Sequence, residues 1–169
     1  LRRVRAAFRW VVRRSTLDAR LDALRNLVSD DEQWIVWVGL DAEGSAVTSA
    51  IPDAVEVKGS DDPEYKAATF EAFQDGQIRV LVTKPRIGGF GMNFQNAHKM
   101  AFFGLNDSWE TWYQCIRREW RYGQRQPVQV HVILSDLEEE IYRNILRKDA
   151  MATRLRDGLI EQIREYEKG

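Results

Sequence analysis

The chain has 169 residues, 44% hydrophobic and 30% charged, and its 25 Lys and Arg against 26 Asp and Glu leave a net charge of −1. Those proportions fit one globular domain with a core of ordinary size and exclude a disordered polypeptide. The balanced charge argues against strong autonomous binding to nucleic acid, whose affinity rests on neutralised phosphates, and no apolar run approaches the length of a membrane span.

Cys115 is the only cysteine, which rules out an internal disulfide and fits a reducing, cytoplasmic compartment. With two histidines, His98 and His131, it argues against a dedicated zinc site, so no metal ligands are assigned to the chain. Charge is nevertheless unevenly placed. Arg2, Arg3, Arg5, Arg9, Arg13 and Arg14 crowd the start, while Arg117, Arg118, Arg121 and Arg125 crowd a later segment. The Arg-rich start lacks the apolar core and small-residue cleavage site of a secretory signal. Its abrupt opening without Met suggests a piece of something longer.

Leu17, Leu21, Leu24 and Val28 recur at helical spacing, predicting a helix over 16–29 capped by Ser15 or Thr16. The run WIVWVGL, 34–40, bounded by aspartates, predicts a strand buried on both faces. A short helix over 43–51 and a strand over 54–58 follow. Gly59-Ser60-Asp61-Asp62-Pro63 turns into a helix with an acidic N-cap and Pro at its first position, which stops at Asp75-Gly76. Residues 78–84, 99–104 and 128–134 are further strands. From 136 to 168 the pattern is helical, with Gly158 as a weak point and Leu155, Leu159 and Ile163 on one apolar stripe. Strands alternating with helices predict an α/β fold: a parallel sheet of about five or six strands with helices on both faces, plus a long C-terminal helix. The chain divides into an N-terminal helical arm, 1–29, a lobe, 30–135, and a C-terminal helical extension, 136–169. In such sheets ligands bind at the carboxyl ends of the strands.

Two segments carry chemistry. The helix opening at Asp107-Ser108, with Asp107 and Glu110 placed for a capping box, contains QCIRREWRYGQ, 114–124. At roughly 100° per residue, Trp109, Trp112, Tyr113, Ile116 and Trp120 fall on one face, and Gln114, Arg118 and Arg121 on the opposite one. Two guanidinium groups aimed one way from a rigid element suit a phosphate; an amphipathic surface helix with solvated arginines explains the same pattern. The second segment, PRIGGFGMNFQ, 85–95, places Gly88, Gly89 and Gly91 at a strand's carboxyl end, where glycine permits close backbone approach to a ligand. A plain turn also explains it. GxxxxGK[ST] is absent, so nothing in the chain cradles the bulk of a nucleotide.

TKPRIGGFGMNFQ followed by YQCIRREWRYGQ resembles the fifth and sixth motifs of superfamily 2 helicases, most closely the Swi/Snf-like branch, with patterns near RAGGxGxN and QxxxRxxRxGQ. WIVWVGL resembles the fourth motif, EVKGSDDPEYKAATFEAFQDG the block after it, and EEEIYRNILRKDAM the helix after the sixth. The resemblance spans about 30–150 in the family's order, and the KPRIGGFG and DSWETWYQ segments look most like helicases of phages and mobile elements. It implies a RecA-like helicase C-terminal domain, the second lobe of an ATP-driven DNA motor, with ATP and Mg²⁺ held mainly by an N-terminal lobe of the same protein. By motif position it implies that Arg118 and Arg121 are catalytic, Arg121 as the finger on the γ-phosphate. Gln114, Gly91 and Asn93 then lie near the nucleotide, and Lys84, Arg86, Gly88 and Gly89 near the DNA backbone. The family usually has Ser or Thr where this chain has Lys84 and Pro85, which makes Lys84 a candidate phosphate ligand in place of the hydroxyl.

Other features have structural explanations. Trp34 and Trp37 are core residues of a strand, Asp107 and Glu110 a helix cap, and His98 and His131 satisfied structural histidines. The arginines of 1–14 form a connecting helix. Two further functions compete with the motor lobe: a non-catalytic nucleic-acid or protein-binding module that kept a degenerate helicase fold, and an independent nucleotide-binding enzyme built on the glycine loop.

Overall fold

In a computed structural model, residues 11, 13–87, 92–105 and 108–166 are described. Arg2, Arg3, Arg5 and Arg9 of the arm, Asp107, and loop residues Gly88, Gly89 and Gly91 lie outside them. The elements are α1 (Leu17–Leu27), β1 (Trp34–Val38), α2 (Asp41–Ala50), β2 (Ala54–Val57), α3 (Pro63–Gln74), β3 (Val80–Thr83), β4 (Lys99–Phe103), α4 (Trp109–Glu119), β5 (Gln129–Ile133) and α5 (Glu139–Tyr166). A single 3-10 turn, Asp136–Glu138, precedes α5.

The five strands form one sheet in the order β2-β3-β1-β4-β5, parallel at every pairing, with β1 central. In β1 all five residues are buried, because alternate side chains enter two different cores. Trp34, Val36 and Val38 meet Leu21 and Leu24 of α1 and Val47 of α2. Ile35 and Trp37 meet Phe73 of α3, Trp112 of α4 and Ile145 of α5. The register sets Trp37 beside Thr83 of β3 and Phe102 of β4. Both tryptophans are core, as the apolar run requires.

Helix boundaries follow local chemistry. Asp62 caps α3 by accepting from the Glu64 N–H at 2.8 Å, Pro63 starts the helix, and Gly76 at φ +78 ends it. Helix α2 begins two residues earlier than its apolar pattern suggests, because the Glu43 carboxylate turns back to accept from the Gly39 and Leu40 N–H groups, both at 3.1 Å. The cap of α4 is Ser108, whose hydroxyl accepts from Thr111 N at 3.2 Å. That moves the capping position one residue past Asp107 and takes Glu110 out of a capping box. Gly158 does not interrupt α5, which runs unbroken for 28 residues; one helical glycine costs only about 1 kcal/mol. Ile145 anchors α5 in the core, whereas Leu155, Leu159 and Ile163 stand exposed.

The link from β3 to β4 contains no described helix. It must cross β1, since β3 and β4 flank that strand, and Phe94 and Ala97 bury it in the core beneath α3 and α4. Among the described residues no helix is long and apolar enough to cross a membrane.

Candidate functional site

A helix that follows a parallel strand returns the chain to the sheet's amino ends, so the arginine motif at the end of α4 lies there. Backbone bonds fix this position. Phe94 N–H donates to the Arg118 carbonyl at 3.0 Å, and Gln129 N–H, opening β5, donates to the His98 carbonyl at 2.7 Å. The Gln124 amide donates to Ala97 O at 2.8 Å and Glu119 O at 3.3 Å. Gly123, at φ +99, lets this turn lie against the Gln95 side chain. The turn after α4, which carries Arg121, therefore sits at the rim opposite the carboxyl ends.

At that rim Arg121 and Asn93 come together. Arg121 is exposed in the turn after α4, its N–H bonded to Glu119 O at 3.0 Å, and its guanidinium donates to Asn93 Oδ1. Asn93 is held in turn by the Gln74 amide, which donates to its carbonyl at 2.6 Å. Gln114 stands exposed earlier on α4, without a hydrogen bond to either residue among those described.

Arg118 departs from the expected outward face. It is only 8% exposed, with Cζ 5.8 Å from the centre of the Trp37 ring. Among the described residues its guanidinium has no hydrogen bond or ion pair, and Nε is buried without a partner. Burial accordingly pulls its pKa below the usual arginine value. The inward stripe of α4 is Trp112, Cys115 and Glu119, with Arg118 beside it. Trp120, expected inside, is 52% exposed, because α4 ends at Glu119 and the next residue leaves the helical path; Arg117 covers its ring at 5.1 Å. Trp109 stacks on Tyr113 at 5.2 Å and donates from Nε1 to Asp149 of α5 at 2.9 Å.

Glu119 is fully buried, neither carboxyl oxygen has a partner among the described residues, and burial pushes its pKa up to about 9. Cys115 is likewise pushed up to about 12, first by burial, with the Glu119 carboxyl adding and Arg118 opposing. His131 lies against the Trp34 ring at 5.3 Å, but its Nε2 is buried without a partner among the described residues, unlike the satisfied histidine expected. Burial and then Lys99 lower its pKa.

Lys84 and Arg86 occupy the other rim, past the carboxyl end of β3. The Lys84 ammonium pairs with Asp41 at 2.7 Å, holding that carboxyl below its ordinary range. The nearby hydroxyl, on Thr83, is buried and donates to Val57 O at 3.0 Å. Arg86 is exposed in the following turn.

The carboxyl rim also holds a buried charge network that sequence reasoning missed. Arg13 Nε donates to Glu138 at 2.8 Å, and its Nη2 donates to Leu105 O. Arg20 Nη2 donates to Glu43 at 3.0 Å and to the Arg13 carbonyl at 2.7 Å. Glu138 also accepts from Ser135 N–H at 3.2 Å and its hydroxyl at 3.0 Å. The available signal was glycine at the ends of β1 and β4. A Cβ at Gly39 would lie 2.6 Å from Arg13 Nη1, and Gly104, at φ +91, touches the same guanidinium.

No family model matches the chain. Helicase SWR1 of Mycosarcoma maydis is 30% identical over 113 residues, 66% of this chain and 6% of that protein. DNA excision repair protein ERCC-6 of Homo sapiens is 30% identical over 84 residues, 48% of this chain and 6% of that protein. Among solved structures, the C-terminal part of the Fun30 ATPase domain superposes with TM-score 0.67 at 20% identity, over 75% of this chain and 44% of that one. The C-terminal domain of the DEAD-box protein Dbp5 superposes with TM-score 0.66 at 15% identity, over 76% and 77%. The chain thus has the fold of a RecA-like helicase C-terminal domain and is similar to a short stretch, 6% of the length, of each of two much longer proteins, one named a helicase and the other a DNA repair protein.

Proposed function

We propose that this chain is the second motor lobe of an ATP-dependent DNA helicase or translocase of the Swi/Snf-like branch, acting inside the cell and closing on ATP held by a preceding lobe. The observation that carries this reading is a pair of arginines from the end of α4, Arg121 at the amino rim and Arg118 buried on the Trp37 ring, neither of which is neutralised by a carboxylate among the described residues. Arg121 is the exposed finger for the γ-phosphate, aimed by Asn93, and Arg118 is the second cation. Gln114 and Gly91 complete the nucleotide-facing set. Mg²⁺ belongs with the phosphates on the other lobe. Lys84 and Arg86 face the DNA backbone at the opposite rim, so that Lys84 exchanges Asp41 for a phosphate, and Gly88 and Gly89 are assigned to the same backbone by motif position alone. The wording of KPRIGGFG and DSWETWYQ favours a phage or mobile-element source.

Phosphoryl transfer is catalysed by positioning and charge stabilisation, and an arginine supplied across an interface contributes roughly 10³–10⁵ in rate. A contact that exists only when two lobes meet converts ATP binding and hydrolysis into closure and opening. With nucleotide at one rim and DNA at the other, that motion reaches the DNA through the rigid sheet.

In the intact protein, Arg121→Ala or Arg118→Ala is expected to lower DNA-stimulated ATP hydrolysis by at least about 10³-fold while ATP still binds. This chain alone is expected not to hydrolyse ATP. Normal turnover in both variants would overturn the assignment.

A further inference from the structure

We propose that Trp37 is a positioning residue for Arg118: its indole face holds the guanidinium in place without neutralising it, so that the charge stays available to a polyphosphate. This rests on the reading that Arg118 meets ATP.

Trp37 is well suited to hold a cation. It is the fourth residue of the central strand, is almost completely buried, and stacks on Phe102 with centroids 6.5 Å apart at 29°. Its ring therefore has nowhere to move. The 5.8 Å from Arg118 Cζ to the ring centre lies within the reach of a cation–π contact, which is about 6 Å. Glu119, the adjacent acid, does not compensate Arg118, since neither of its oxygens has a partner among the described residues.

The other buried arginines show what a different partner does. Arg13 and Arg20 each hold a carboxylate, and a phosphate could reach them only by displacing it. An aromatic ring attracts the cation through its quadrupole and carries no net charge. Arg118 is thus kept in one place while its electrostatic interaction remains unspent. Trp37 itself is buried beneath the arginine and touches no nucleotide, so its effect is expected on turnover and not on ATP affinity.

The test is a series of fluorinated tryptophans placed at position 37 in the intact protein, which weaken the ring quadrupole with little change in volume, beside Trp37→Phe and Trp37→Leu. The expected result is a stepwise fall in DNA-stimulated kcat, about three- to tenfold for the most fluorinated ring, with KM for ATP within about twofold. Trp37→Phe should retain more activity than Trp37→Leu. Because the leucine opens a cavity, the fluorinated series decides the matter if that variant fails to fold. A flat kcat across the series, with Arg118→Ala still inactive, would overturn the role of Trp37 and leave the proposed function intact. Normal turnover of Arg118→Ala would overturn the role of Trp37, and normal turnover of Arg121→Ala as well would overturn the proposed function.

Discussion

The two rims of the sheet each carry buried or half-buried arginines, and they treat them in opposite ways. At the carboxyl rim Arg13 and Arg20 are paired with carboxylates: Glu43, Glu138 and backbone carbonyls accept from them, with Arg20 Nε and Nη1 left without a partner among the described residues, and Gly39 and Gly104 make room for the Arg13 guanidinium. At the amino rim Arg121 lies on a neutral amide oxygen, and Arg118, from the last turn of α4, reaches back over the sheet to an indole. A guanidinium between carboxylates is finished chemistry that ties together the chain before α1, the start of α2 and the turn before α5. A guanidinium held by uncharged groups is destabilised unless an anion arrives. Burial therefore does not separate the carboxylate-paired arginines of this fold from those proposed to meet a nucleotide; the charge of the partner does.

The contrast breaks most visibly when one carboxylate is removed. Glu43→Ala leaves Arg20 buried with no carboxylate among the described residues, and takes from Arg13 its second carboxylate neighbour, 3.7 Å away. Breaking a buried pair from one side costs about 3–5 kcal/mol, which for a chain of this size lowers Tm by roughly 10 °C. Chemical and thermal denaturation measure it. A loss below about 1 kcal/mol would show the network to be ornamental and the contrast false.

Next in size is the pH response of Glu119. Its pKa is about 9 in the fold, against an ordinary 4.5. Between those values the folded chain binds a proton that the unfolded chain has lost, so stability is fully present below about pH 4.5 and falls as pH rises through about 9. The slope approaches about 1.4 kcal/mol per pH unit. Glu119→Gln has no proton to lose. The variant should match the parent at low pH and exceed it at pH 8, and urea denaturation from pH 5 to 9 measures the difference. Parallel curves for the two proteins would refute it.

These residues also mark where sequence reasoning stops. The run WIVWV determines a central strand because five apolar residues in a row have no solvent side, and Asp62-Pro63 and Gly76 bound α3 by cap chemistry that is local. The inward face of α4 is not local. Trp109, Trp112, Tyr113, Ile116 and Trp120 share one face by periodicity, but the buried stripe is rotated from it to Trp112, Cys115 and Glu119, and Glu119 carries no apolar signal. The meeting of Asn93 with Arg121 was suggested by the order of two motifs, not by spacing, since the described residues between β3 and β4 include no helix to count along. The network of residues 13, 20, 43 and 138 was illegible because its members come from four segments, and only the sheet brings their strand ends together.

The smallest effect on stability is expected where the charge is already unpaired. Arg118→Met substitutes an apolar chain of similar length for a buried cation that lacks a carboxylate. Replacing buried charge with well-packed apolar groups is often neutral or stabilising, so Tm should hold within about 3 °C or rise, by the same scaling that gives roughly 10 °C for Glu43→Ala. Packing against Trp37 survives, because Met sulfur makes favourable contacts with aromatic rings. In the intact protein the same substitution should abolish DNA-stimulated turnover. A fall in Tm comparable to that of Glu43→Ala would mean that Arg118 is a structural arginine whose partner is supplied within the fold, and the distinction between the rims would collapse. Retained stability with lost turnover would locate the cost of that arginine in the reaction it serves.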